Sequence, residues 1–208
     1  LPVVRISWGS QAKCGLSGFV LTKGKGQAVA ALYCIGASPT LDNCLIVGNR
    51  CSDVQGAALY FEDSQAILSN CTIADNYAGW EGAGVVIENS NIVVVNSVFW
   101  GNTPNEISSR GDSDPSIRYC DVRGWWPDIG NLRVDPLFAA PGSWVNSANP
   151  SELLSPEDSR AVWKAGDYRL KSTSGRWDPT TRSWLSDEVS SPCIDTGDSE
   201  SQIGRAHV

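Results

Sequence analysis

Two glutamates occupy equivalent positions in consecutive repeats of this chain. Glu62 and Glu88 each follow a short apolar stretch, Ala58-Leu59-Tyr60-Phe61 and Gly84-Val85-Val86-Ile87 respectively. Two carboxylates brought together in this way could act as the acid and the base of a glycosidase. The same pair on a solvated sheet face is also a common form of charged surface, so both interpretations stay open. Glu62 and Glu88 are therefore the candidate catalytic residues.

Calcium is the one cofactor that these residues suggest. Asp63 follows Glu62 directly, and Asn89 takes the place of Asp63 in the next repeat. Carboxylate and amide oxygens are the ligands that Ca²⁺ takes in proteins. Asp63 and Glu88 are thus the candidate ligands for Ca²⁺. No other cofactor is expected, because the chain has one histidine and no spacing typical of zinc.

Aromatic residues accompany the glutamates in the repeat pattern. Tyr33 and Tyr60 face outward by strand alternation, and Tyr77 and Trp80 come in the turn that follows. Flat aromatic rings pack on sugar rings, while carboxylates accept hydrogen bonds from hydroxyls. A tyrosine ladder that merely covers the sheet beneath a loop is the alternative. The predicted carbohydrate-binding strip consists of Tyr33, Tyr60, Glu62, Glu88, Tyr77 and Trp80.

A short repeat supplies the elements that must position these residues. Its five copies begin at Leu16, Leu41, Leu68, Val94 and Ile117, at successive offsets of 25, 27, 26 and 23 residues. Alternating apolar positions without helical periodicity are typical of a β-solenoid, whose copies stack to bury their inward side chains. The pattern predicts an all-β, parallel solenoid of about five to six coils with an irregular C-terminal capping segment.

A second strand recurs independently of the first and gives the direction of its side chains. Inward positions are apolar throughout, and Val86 faces outward with the tyrosines and glutamates. The predicted inward residues of this strand are Leu32, Cys34, Leu59, Phe61, Val85 and Ile87.

Asparagine and cysteine recur at fixed places in the repeat. Asn49, Asn76 and Asn102 close successive turns, where asparagine tolerates left-handed backbone and bonds neighbouring coils. Cysteine behaves as a small apolar group when buried, so the equivalent cysteines are expected to be stacked thiols. These are Cys44, Cys71 and Cys120, with Cys34 also inward; the disulfide state of Cys14, Cys51 and Cys193 stays open.

Regularity ends after Val122. The predicted organisation is coils over residues 1–138, an irregular tryptophan-rich segment over 139–198 and a tail over 199–208. Most tryptophans of the C-terminal part are expected to seal the open end of the solenoid, because that end exposes core and strand edges. These are Trp125, Trp126, Trp144, Trp163, Trp177 and Trp184.

Composition limits the partners. A net charge of −7 argues against nucleic acid, and no apolar run is long enough to cross a bilayer. A monomer is expected. The chain starts at Leu1 and contains no methionine, which predicts an interior piece of a longer protein. Its last six residues, Ile203 to Val208, match one reading frame of a common sequencing adapter, so we interpret them as an artefact.

Ordered motifs carry a resemblance to a known group. The repeat Asn96-Ser97-Val98-Phe99-Trp100-Gly101-Asn102 is followed by Asp135-Pro136-Leu137-Phe138, then Asp167-Tyr168-Arg169-Leu170 and Ser191-Pro192-Cys193-Ile194-Asp195-Thr196-Gly197. This order resembles right-handed parallel β-helix proteins of the pectate-lyase-like group that carry a choice-of-anchor segment. The resemblance implies a secreted or cell-surface bacterial protein.

Three functions remain open on this basis. The first is a scaffold that binds an extracellular polysaccharide through the outward strip. The second is a lyase or glycosidase that acts on an acidic polysaccharide and uses Glu62 and Glu88. The third is a non-catalytic adhesin or structural spacer. Any sugar substrate rests on analogy of fold.

Overall fold

The solenoid is built from three parallel sheets of five strands each. The computed structural model describes residues 2–7, 14–27, 29–52 and 57–200. Sheet 1 contains β1 (Val4–Ile6), β5 (Val29–Ile35), β9 (Ala57–Glu62), β13 (Val85–Glu88) and β16 (Ile107–Arg110). Sheet 2 contains β2 (Gly15–Ser17), β6 (Thr40–Asp42), β10 (Ile67–Ser69), β14 (Val93–Val95) and β17 (Ser116–Arg118). Sheet 3 contains β3 (Val20–Thr22), β7 (Leu45–Val47), β11 (Thr72–Ala74), β15 (Val98–Trp100) and β18 (Asp121–Val122).

A smaller parallel sheet joins sheet 3 to sheet 1. It contains β4 (Lys25–Gly26), β8 (Arg50–Cys51) and β12 (Tyr77–Ala78). No helix occurs in the described ranges, and hence none there is long and apolar enough to cross a membrane.

Strand register confirms the repeat. Leu68 pairs with Leu41 on one side and Val94 on the other, and Leu59 lies between Leu32 and Val85. The predicted parallel solenoid is therefore confirmed, with about four turns. The sequence predicts about five to six coils because the partial coils at both ends repeat the same strands and are counted as coils.

The core lies along the axis of the solenoid. Leu32, Leu59 and Phe61 of sheet 1 are fully buried, as are Leu41 of sheet 2 and Ile46 of sheet 3. All of them belong to one continuous apolar cluster. Consecutive coils thus share a dry interior, as the alternation of apolar residues predicts.

Single residues with left-handed backbone make the corners between sheets. Asn43, Asn70 and Asn96 have φ values of 51°, 54° and 51° between sheets 2 and 3, and Tyr119 takes the same place in the last coil. Asparagine adopts this conformation more readily than most residues. The recurrence of these asparagines is explained by backbone geometry.

A buried ladder of asparagine amides fixes the turn after sheet 3. Asn49 Nδ2 donates to Asn76 Oδ1 at 2.9 Å, and Asn76 Nδ2 donates to Asn102 Oδ1 at 2.8 Å. Asn102 Nδ2 then donates to the carboxylate of Glu106, which is buried and ends the ladder. The bonding between coils that was predicted for these asparagines is confirmed. The left-handed residue of each turn is instead the one before the asparagine, namely Gly48, Asp75 or Gly101. Glu106 is not anticipated by the sequence pattern.

The stacked cysteines line the interior as thiols. Cys34, Cys44, Cys71 and Cys120 are buried and free, and Cys14 is a free thiol packed against the core. Cys193 is also free, and its Sγ donates to Asp121 Oδ2 at 3.2 Å.

The C-terminal segment, residues 138–198, lies beside the coils. It forms three antiparallel strand pairs: β19 (Phe138–Ala140) with β22 (Asp167–Leu170), β20 (Ser143–Asn146) with β21 (Ala161–Lys164), and β23 (Arg176–Asp178) with β24 (Ser183–Leu185). Trp163 and Tyr168 pack on the outward side chains Val47 and Ala74 of sheet 3. The predicted tail from 201 onward, including the supposed artefact, lies outside the described residues.

This placement corrects the role expected for most tryptophans. Trp126 packs against the main core near the last coil, as a cap requires. Trp144 and Trp163 instead cover sheet 3 from the side, while Trp177 and Trp184 pair on an exposed hairpin. The reason is that sheet 3 is apolar on its outer face as well as its inner one, so it needs a lateral cover.

Candidate functional site

Most of the predicted strip lies on the outer face of sheet 1. Tyr33 pairs with Tyr60 in register, and Glu62 pairs with Glu88. Arg110 of β16 continues the glutamate row in the next coil. We call these five residues, Tyr33, Tyr60, Glu62, Glu88 and Arg110, the outer ladder.

Each tyrosine of the outer ladder donates to a glutamate of the following coil. Tyr33 Oη lies 2.5 Å from Glu62 Oε2, and Tyr60 Oη donates to Glu88 Oε2. The two rings meet edge to face with centroids 5.5 Å apart. Burial is the main cause that raises the pKa of each phenol to about 12, and the hydrogen bond to the adjacent glutamate is the second. Both hydroxyls therefore stay protonated and hold the carboxylates in place.

Arg110 joins the outer ladder to the loop that carries Glu81 through ion pairs and a hydrogen bond. Its Nη2 lies 2.9 Å from Glu88 Oε2 and 2.8 Å from Tyr60 Oη, while Nη1 lies 2.8 Å from Glu81 Oε1. The hydrogen bond from Tyr60 and the guanidinium of Arg110 lower the pKa of Glu88. Glu88 is therefore an ionised acceptor at neutral pH.

Arg110 and Glu81 were not anticipated by the repeat pattern. The spacing from Glu88 to Arg110 is 22 residues, shorter than the offsets that relate the earlier coils. If the strand of Glu88 had been aligned with the next coil at this shorter offset, the sequence would have placed Arg110 beside Glu88. Glu81 carries no such signal, because it lies in a loop.

Two outward residues of sheet 1 are covered, contrary to the surface predicted for them. Tyr60 is 5% exposed and Val86 is 0% exposed. The loop at residues 79–84 lies over them: a Cβ added at Gly82 would meet Val86 Cγ2 at 2.2 Å. Tyr60 therefore acts as a support, and Tyr33, which is half-buried, is the tyrosine with an accessible ring.

Tyr77 and Trp80, the other two aromatic residues of the predicted strip, lie in different parts of the structure. Tyr77 lies in β12 of the small sheet, where burial and then a hydrogen bond with Glu157 raise its pKa. Tyr77 thus belongs to the contact with the C-terminal segment. Trp80 is 69% exposed and directly precedes Glu81, so it lies at the edge of the outer ladder.

The calcium interpretation gains no support from the corner that holds Asp63. Asp63 and Asn89 have φ values of 48° and 47°, and glycines 36 and 111 take the equivalent corner with φ of 60° and 65°. The recurrence of small polar residues there follows from the left-handed backbone. Within the ranges that the structure describes, no three acidic, histidine or cysteine side chains are grouped to hold a metal ion.

A cleft of about 770 Å³ separates the C-terminal segment from the corner between sheets 2 and 3. Asn43 and Asn70 line the solenoid side, and Lys164, Asp167 and Arg169 line the opposite wall. The sequence pattern could not predict this cleft, because its walls are far apart in the chain and meet only through the docking on sheet 3.

Comparison with family models decides the membership of the chain. Residues 9–124, more than half of the 208 residues, match the model described as right handed beta helix region. The chain belongs to this family. In this β-helix protein the hairpin segment is similar to a second family, because residues 134–197 match the model described as disaggregatase related. Comparisons with curated proteins and with solved structures give no match.

The β-helix therefore presents the outer ladder on a parallel sheet, where Glu88 is ion-paired with Arg110 and Glu62 accepts a hydrogen bond from Tyr33. Glu88 and Glu62 lie on adjacent coils, about 4.8 Å apart along the axis at the backbone. Glu88 is held by Tyr60 and Arg110, and Arg110 is bonded to two carboxylates. The lowered pKa of Glu88 keeps this carboxyl ionised near neutral pH, so it is not poised to act as a general acid. The arrangement suits binding of hydroxyl groups better than acid and base catalysis.

Proposed function

We propose that this β-helix is the scaffold of a secreted or cell-surface protein that binds an extracellular polysaccharide through the outer ladder and Trp80. The observation that carries the proposal is the half-buried Tyr33 ring beside the Glu62 carboxylate. The exposed Trp80 directly precedes Glu81, which is bonded to Arg110 of the same face. Aromatic faces pack on the C–H faces of sugars, and carboxylates accept hydrogen bonds from sugar hydroxyls.

The charge of this face favours a neutral glycan. Three carboxylates, Glu62, Glu81 and Glu88, face two arginines, Arg5 and Arg110, in a chain of net charge −7. A polyanion would be repelled by this surplus of acidic groups. The proposed ligand is thus a hydroxyl-rich, uncharged polysaccharide, and the acidic substrate of the lyase alternative is disfavoured.

Affinity electrophoresis through gels that contain neutral or uronic-acid polysaccharides tests this proposal. We expect retardation of the wild-type protein by at least one neutral polysaccharide, and its loss in Tyr33→Ala and in Trp80→Ala. Trp184→Ala is the matched control, because Trp184 is also an exposed tryptophan but lies on a separate hairpin. Unchanged retardation in both ladder variants would refute the proposed surface, and absence of any retardation would favour the spacer alternative.

A catalytic role remains the second candidate, because Glu62 and Glu88 are in register on adjacent coils. Incubation with uronic-acid polysaccharides and Ca²⁺, followed by absorbance of the unsaturated product, tests for a lyase. Release of reducing ends tests for a glycosidase. Activity that disappears in Glu62→Gln and Glu88→Gln would replace the binding proposal by an enzymatic one.

A further inference from the structure

The cleft between the coils and the C-terminal segment has the features of a preformed site. Its volume of about 770 Å³ falls within the range of ligand pockets. One wall belongs to the β-helix, whose parallel coils fix its shape. The other wall is closely packed: a Cβ added at Gly166 would lie 2.1 Å from Gly142 N. Neither wall has to be ordered by a ligand, which lowers the entropic cost of binding.

Polar groups on the solenoid wall are arranged to receive hydroxyls. Asn43 Nδ2 and Asn70 Nδ2 donate to the two carboxylate oxygens of Asp42, at 2.7 and 3.1 Å. These bonds orient both amides and leave their Oδ1 atoms without a donor among the described residues. Two oriented carbonyl oxygens on successive coils can each accept a hydrogen bond from a ligand hydroxyl.

The opposite wall supplies a positive charge that no protein group neutralises. Arg169 is paired with Asp167 at 3.0 Å. The ammonium group of Lys164 has no ion pair or hydrogen bond within the described part of the chain. The charged side chains that line the cleft are Lys164, Arg169 and Asp167, so its local balance is positive although the whole chain is acidic, and the unpaired Lys164 marks a place for an anionic group.

The solenoid wall also disfavours a peptide as the occupant. Strands β6, β7, β10 and β11 are each paired on both sides, so that wall has no free strand edge to which a peptide could add. Oriented side-chain carbonyls are better matched by a ligand that carries many hydroxyls. From this arrangement we propose that the cleft binds an anionic oligosaccharide, with its carboxylate or sulfate at Lys164 and its hydroxyls at Asn43 and Asn70. This site is independent of the outer ladder.

Calorimetric titration with three tetrasaccharides tests the site. The probes are an oligogalacturonate, a sulfated carrageenan fragment and neutral maltotetraose. We expect the better of the two anionic probes to bind at least tenfold more tightly than maltotetraose, and the comparison of the two shows which anion is preferred. Lys164→Gln should weaken that binding at least tenfold, and Asn43→Gly, which keeps the left-handed corner, should weaken it as well.

Two control variants show whether the anionic probe occupies the cleft. Lys25→Gln removes an exposed lysine of β4 outside the cleft and should leave the affinity unchanged. Tyr33→Ala should also leave it unchanged, so failure of the outer ladder and failure of the cleft are distinguishable. Equal affinity of wild type and Lys164→Gln, or equal binding of maltotetraose, would overturn the proposal. Displacement of the anionic probe by tetraglutamate at the same concentration would overturn the choice of a sugar.

Discussion

Arg110 holds the outer ladder together at the scale of single residues. Its guanidinium bonds Glu88, Glu81 and the hydroxyl of Tyr60, and it also lies over the Tyr60 ring at 5.8 Å. The guanidinium of arginine is planar, always charged and carries several donors. Arginine can therefore bridge groups from different coils where lysine cannot. The loop that carries Trp80 and Glu81 is thereby tied to the sheet.

Replacement of Arg110 by alanine should raise the pKa of Glu88 towards its usual range. The hydrogen bond from Tyr60 would remain, but the neighbouring cation would be lost. Glu88 stabilises the fold above its unfolded pKa, and this contribution should weaken in the variant by about 1 kcal/mol near neutral pH. Carbon-13 NMR titration of the glutamate carboxyls measures the pKa.

Arg160→Ala serves as the control for this titration. Arg160 forms a comparable ion pair with Asp158, but on an exposed loop away from the outer ladder. An identical Glu88 titration in Arg110→Ala and wild type would show that the ion pair has no influence on this carboxyl.

At the scale of elements, the carboxyl that ends the asparagine ladder makes the stability of the coils depend on pH. The carboxyl of Glu106 ends this ladder and is 4% exposed. Burial raises its pKa to about 7, although the bonds from Asn102 and the charge of Arg123 act against this rise. Because the folded pKa is raised, the folded protein binds the proton more tightly than the unfolded chain does. Stability should therefore fall as the pH rises from about 4.5 through about 7.

Glu106→Gln should remove this loss of stability. Glutamine keeps an oxygen that accepts from Asn102 and carries no charge. We expect the variant to exceed wild type by up to about 3 kcal/mol at pH 8 and to resemble it at pH 5. Denaturant unfolding at both pH values measures the difference. Glu188→Gln, at an exposed position, is the control, and parallel pH profiles for all three proteins would contradict the assignment.

The same elements explain what the sequence could and could not predict. Leu41, Leu68 and Val94 repeat at nearly constant spacing, so register and core followed from periodicity alone. Arg110 was missed because its coil is shorter, and the burial of Tyr60 was missed because a loop without a repeat signal covers it. The cleft depends on docking between distant parts of the chain, which leaves no periodic trace.

At the scale of the whole molecule, the C-terminal segment is attached through a few large contacts. The ring of Trp163 lies against Gly48, where an added Cβ would be 2.1 Å from Trp163 Cδ2. Tyr168 Oη donates to Asp75 Oδ2 at 2.5 Å in the next coil. Arg50 Nη1 also donates to the carbonyl oxygen of Pro156 at 2.7 Å. These contacts create the cleft.

Trp163→Ala should detach this segment and leave the coils folded. Loss of a buried tryptophan costs about 3–5 kcal/mol. We expect earlier urea unfolding and faster proteolytic cleavage within residues 139–198, with the β-sheet circular dichroism of the coils retained. Trp177→Ala, at an exposed position, should change neither measurement. Equal protease resistance of Trp163→Ala and wild type would contradict this role of the indole.

The lateral position of the segment changes how the molecule can come apart. It contacts Gly48, Asp75 and Asn96, which lie in three successive coils. A bare stack of coils frays from its ends, since each coil holds only its neighbours. The segment instead bridges the middle coils, which must therefore unfold together. Under a pulling force, this central part should be the last to unravel, and it carries both the cleft and most of the outer ladder.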